Sequence, residues 1–61
     1  MPSVQVYMWA GRDKETKKRM IEGITKVFVD MDIPAEAVEV ILHDIPKENW
    51  GMGGVQASDK F

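Results

Sequence analysis

Proline stands at position 2, directly after the initiator methionine and directly before an alternating run, so removal of Met1 leaves its ring nitrogen as a free secondary amine. An α-amino group titrates at about 7.7 to 8.0, and an apolar pocket lowers that value by disfavouring the cation. The result is a base that is neutral near pH 7, held in place along the strand by its own ring. General-base proton transfer is the chemistry within its reach, typically worth about 10² to 10⁴ in rate. The plain alternative is a tolerated strand start.

Arg12 is the second candidate. It lies just ahead of a helix amino terminus, where a cation opposes the helix dipole, and a guanidinium beside free helix amides makes a site for a carboxylate. An exposed arginine balanced by Asp13 is the competing reading. Trp50, between Asn49 and Gly51, has little local core to join and either walls a pocket or staples a hairpin. His43 and Asp44 are adjacent and point to opposite faces of a strand, which disfavours a shared role; Glu39 and His43 share a face and are close enough to touch. With one histidine and no cysteine, neither a Ser/His/Asp set, a cysteine nucleophile nor an ordinary metal site is available. The GMGG segment lacks the spacing and lysine of a phosphate loop.

The elements that position these residues follow from periodicity. From Pro2 to Trp9 the chain alternates, with Val4, Val6 and Met8 on one side and Gln5, Tyr7 and Trp9 on the other, the pattern of a strand. Gly11 breaks it. Asp13 is suited to cap a helix whose apolar positions are Met20, Ile21, Ile24, Val27, Phe28 and Met31, with Lys18 and Glu22 paired across one turn of the outer face. Pro34 closes the helical region, and Val38 to Ile45 reads as a second strand, again apolar on both faces. Gly51, Gly53 and Gly54 predict a hairpin or loop, followed by a short strand at Val55 and Gln56 and a polar tail.

Two strands joined by a helix of about 18 residues form a β-α-β unit with parallel strands and a right-handed crossover. The fold class expected is therefore α/β (α+β), one domain over residues 1–61. A single helix covers only one face of a parallel sheet, so the other face predicts a subunit interface. Size points the same way. A chain of 61 residues without cysteine has a marginal core, while its apolar content of 44% is generous for a monomer. The net charge of −2 gives no basic footprint for nucleic acid, and no apolar run reaches the about 20 residues of a membrane span. A cytoplasmic protein is the default expectation.

Pro2, the strand PSVQVYMW, the Gly11-Arg12 pair, the single helix, VEVILHDI and PKENWGMGG together resemble the 4-oxalocrotonate tautomerase family along nearly the whole chain. The resemblance implies a homo-hexamer, a trimer of dimers in which paired subunits merge their sheets. It also implies a cofactor-free and metal-free keto-enol isomerisation in which Pro2 carries the proton between an enol oxygen and a distant carbon. Arg12, from a neighbouring subunit, then binds the carboxylate of a small-molecule substrate, and Trp50 lines the pocket. Where better-known members place a second arginine early in the second strand, this chain has Glu39, which repels one end of a dicarboxylate. A monocarboxylate or an aryl 2-hydroxy/2-oxo acid fits better at that substrate-binding position. Two alternatives remain open: hydration or dehalogenation of an unsaturated acid with Glu39 activating water, and a non-catalytic hexameric binding protein that retains Met1.

Overall fold

The computed structural model describes all 61 residues. Strand β1, Ser3–Trp9, pairs in parallel with β2, Glu39–Ile45, in a register that sets Ser3 against Glu39, Tyr7 against His43 and Trp9 against Ile45. Helix α1, Lys14–Val29, is the crossover between them. Its start is set locally: Asp13 has extended backbone and its carboxylate accepts from the Thr16 N–H at 2.8 Å. Its end comes with the Asp30 and Met31 amides, which bond back to the carbonyls of Lys26 and Phe28.

The side chains of α1 at Lys17, Met20, Ile24 and Phe28 are half-buried, a stripe at helical spacing that covers one sheet face. Lys17 also ion-pairs with Asp44, tying the helix to β2. Val4, Val6, Met8, Val40 and Leu42 occupy the covered face, with Met8 the most enclosed at 8% exposure. On the other face Ser3, Gln5, Tyr7, Glu39 and Ile41 are open. Strand alternation is thus borne out, whereas the expected apolar helix face is only half used: Ile21, Val27 and Met31 are exposed, and Met31 lies beyond the helix end. The one-turn ion pair that forms on α1 is Lys26–Asp30, not Lys18–Glu22.

After β2, a single 3-10 turn over Lys47–Asn49 leads into a hairpin of β3, Gly51–Met52, and β4, Val55–Gln56. Gly53 and Gly54 form its two-residue turn with φ of 62° and 81°, a left-handed pair that only glycine adopts freely. The polar tail is a short helix, α2, Ala57–Lys60, whose Ala57 is fully buried and donates its N–H to the Trp50 carbonyl at 2.7 Å.

Candidate functional site

Pro2 sits one residue ahead of β1, half-buried, with its carbonyl accepting from the Glu39 N–H at 2.9 Å. That bond fixes the start of the ladder and holds the pyrrolidine ring at one end of the strand pair. Met1, acylating the ring nitrogen, is 88% exposed. Glu39 is Pro2's neighbour across the ladder; its exposed carboxylate accepts from the Ser3 hydroxyl at 3.4 Å. It does not touch His43, as shared facing had suggested. His43 instead stacks on Tyr7, its register partner, at 4.5 Å between ring centroids, and shares a 3.0 Å hydrogen bond with the Gln5 side chain. Cross-strand pairing is stronger than the spacing along one strand, because register partners are closer than residues four apart.

Arg12 and Trp50 lie at the opposite end. Arg12 is exposed and its Nη1 donates to the Trp9 carbonyl at 3.0 Å, which turns the guanidinium back over the end of β1. Trp50 meets the Trp9 ring edge-on at 6.1 Å, so it joins an aromatic wall as well as bracing the hairpin. The seven residues of β1 separate this end from Pro2, a span of about 23 Å at the rise of an extended strand. A single chain therefore brings Pro2 together with Glu39, and Arg12 together with Trp50, without joining the two pairs.

Three residues at the Arg12 end were not singled out by sequence. Trp9 is the hub: Phe61 tilts against it at 5.3 Å, and the Lys47 ammonium lies 4.8 Å above its ring. Their signal was the spacing between Trp9 at a strand end and the PKENW segment, which only the parallel register converts into contact. The surface hollow that the chain does form lies elsewhere, along α1 among Lys14, Lys17, Lys18, Ile21 and Glu22. No three His, Asp or Glu side chains are grouped to hold a metal ion. No helix is long and apolar enough to cross a membrane.

Among the acidic groups, the Asp13 carboxyl is held below its ordinary range by hydrogen bonding to Thr16, through the hydroxyl and the backbone N–H. This fixes the helix start next to Arg12 and keeps an anion beside that cation.

Comparison with known proteins matches a family model described as "Tautomerase enzyme" over residues 2–60. The chain is 47% identical to a 2-hydroxymuconate tautomerase of Comamonas testosteroni, over 97% of this chain and 95% of that protein. A 2-hydroxymuconate tautomerase of Pseudomonas putida is 40% identical with the same coverage. Among solved structures, a 4-oxalocrotonate tautomerase isozyme from Methylibium petroleiphilum superposes with a TM-score of 0.83 at 45% identity, over 93% of this chain and 94% of that one.

Proposed function

The chain belongs to the tautomerase family and is a tautomerase, and from that premise we propose that Pro2, freed by loss of Met1, is the general base of its isomerisation. The proton of a substrate enol passes to the Pro2 nitrogen and returns to a carbon of the conjugated system, leaving a ketone with no net gain or loss of electrons. One observation carries the reading: Pro2 starts the ladder at a fixed position, anchored through its carbonyl, so that loss of Met1 turns its nitrogen into an amine held in place. A ring pinned in this way approaches its substrate with little rotational freedom, which is what positioned proton transfer requires.

Because one chain parts Pro2 from Arg12, the site is built from two copies. Antiparallel pairing of two β1 edges sets the Pro2 and Glu39 end of each copy against the Arg12 and Trp50 end of the other. Shape supports the association. The chain exposes 4617 Å², where a self-contained monomer of its mass exposes about 4000 Å². Its radius of gyration is 14.5 Å, against about 10.5 Å for a compact domain of this length. The open sheet face, bearing Tyr7 and Ile41, gives such pairs a further surface, and a homo-hexamer made of three dimers is the assembly we infer.

The substrate in this reading is a small conjugated 2-hydroxy acid with its carboxylate on Arg12 and its flat body on Trp50. The substrate for which the relatives are named, 2-hydroxymuconate, carries two carboxylates, and Glu39 beside Pro2 meets the second with like charge. A monocarboxylate such as an arylenolpyruvate avoids that repulsion. The exposed Glu39 carboxylate beside Pro2 also favours one second reading, in which it activates water for addition to an unsaturated acid. In both readings the protein works in the cytoplasm without a cofactor.

Ketonisation of phenylenolpyruvate by the wild type and by Pro2→Ala, each with Met1 removal verified by intact mass, tests the base. The expected loss is about 10² to 10⁴ in kcat/KM. An equal rate overturns the proposal, and so does uniform retention of Met1 in active native protein, because an acylated proline nitrogen has no basic lone pair.

A further inference from the structure

Glu39 and Arg12 are charges of the candidate site that the chain leaves without an ionic partner. The ion pairs Lys17–Asp44 and Lys26–Asp30 include neither. Glu39 is exposed, and the one contact of its carboxylate is the Ser3 hydroxyl at 3.4 Å, longer than an ordinary hydroxyl hydrogen bond. The next residues along that face, Gln5 and Ile41, are uncharged. Arg12 is exposed as well. Its guanidinium bonds the Trp9 carbonyl, while the neighbouring Asp13 carboxylate is turned to the Thr16 N–H. In the antiparallel association proposed above, each site has Glu39 at one end and Arg12 at the other. Closing a second copy over Glu39 withdraws water from its carboxylate, which is unfavourable unless a donor replaces that water. The distant Ser3 hydroxyl does not suffice, and the place beside Pro2 is within reach of a bound substrate.

We propose that Glu39 selects the substrate by a hydrogen-bond donor: a conjugated 2-hydroxy/2-oxo acid lays its single carboxylate on Arg12 and presents a donor at its opposite end to Glu39. This assignment rests on the proposed site in which the Arg12 end of one copy meets the Pro2 end of another. It goes beyond the exclusion of a second carboxylate, because the charge that repels an anion attracts a donor. A hydrogen bond to an ionised acceptor is shorter and stronger than one between neutral groups. With a cation at one end of the site and an anion at the other, the acid binds in one direction, its carboxylate away from Pro2 and its donor beside it.

The test titrates three non-reacting acids against the tryptophan fluorescence of the full chain: phenylacetate, 1,4-phenylenediacetate and 4-(aminomethyl)phenylacetate. At the far end they carry nothing, a second carboxylate and an ammonium, the strongest of donors. Wild type binds the ammonium acid about tenfold or more tightly than phenylacetate, and the diacid more weakly than either. Rising salt narrows the spread. Glu39→Gln, which keeps the shape and removes the charge, brings the three toward one affinity, and Glu39→Arg reverses their order. Arg12→Ala weakens all three and keeps the order. Equal affinities in wild type, or an order that Glu39→Gln leaves unchanged, overturns the proposal. Equal strengthening of all three acids by Glu39→Gln also contradicts it, since Glu39 is then a competitor for Arg12 and not a receiver of donors. If Glu39→Gln fails to fold, the wild-type order decides, and any order other than ammonium, nothing, carboxylate is the contradicting result. Because the titration needs no turnover, it reads Glu39 even if Pro2→Ala retains full activity and the proline base fails.

Discussion

Glu39 carries the sharpest chemical question at the level of single residues. It is bound to Pro2 through the backbone and held near Ser3 through its carboxylate, so it places a negative charge in the surroundings of the proposed base. Replacing it with arginine converts repulsion of a second carboxylate into attraction. We expect Glu39→Arg to shift the kcat/KM ratio of 2-hydroxymuconate over phenylenolpyruvate upward by about ten- to hundredfold, the scale of one charge-assisted hydrogen bond. Steady-state assays with both substrates check this, and an unchanged ratio contradicts the assignment. Pro2, Arg12, Trp50 and Glu39 were all legible in the sequence as chemical types. Lys47 and Trp9 were not, because a lysine in a polar segment and a tryptophan at a strand end each have a bland reading alone. Only the fold brings the ammonium over the ring.

Elements differ in how much of them local sequence decides. Helix α1 begins where Asp13 caps it, a local event readable from four residues, whereas its tie to β2 through Lys17 and Asp44 spans 27 positions and needs the crossover first. The strands were legible because alternation matches their burial. The tail was not: α2 owes its one turn to the buried Ala57 and the Trp50 carbonyl, a tertiary contact with no periodic signature. The Asp13 cap has a pH consequence. Its carboxyl is lowered in the folded state, so its stabilising effect is complete above the ordinary value of about 3.9 and fades as the pH falls through the lower folded value. The side-chain amide introduced by Asp13→Asn keeps an acceptor that does not titrate. The stability advantage of wild type over Asp13→Asn, followed by circular dichroism in denaturant, is expected to be present at pH 7 and to shrink on acidification below about pH 4. A gap independent of pH contradicts the cap.

At the scale of the whole molecule, the chain is a flat plate of 43 × 23 × 13 Å with two buried residues. In the proposed assembly a second copy completes both its core and its site. The strand that starts at Pro2 ends near Arg12, which makes chemistry and assembly one property: a lone chain holds both halves and joins neither. The open sheet face was legible from the single helix and the two-faced strands, but the separation of the two halves was not, since it depends on Pro2 and Arg12 lying at opposite ends of one extended element. The direct test mixes two damaged proteins. Pro2→Ala and Arg12→Ala are each assayed alone, then unfolded together in equal amounts, refolded and assayed for phenylenolpyruvate ketonisation. When base and cation come from different copies, random association rebuilds intact sites and restores about a quarter of wild-type activity. Activity no greater than the mean of the two parents, in a mixture shown by native mass spectrometry to contain mixed oligomers, contradicts a site shared between chains.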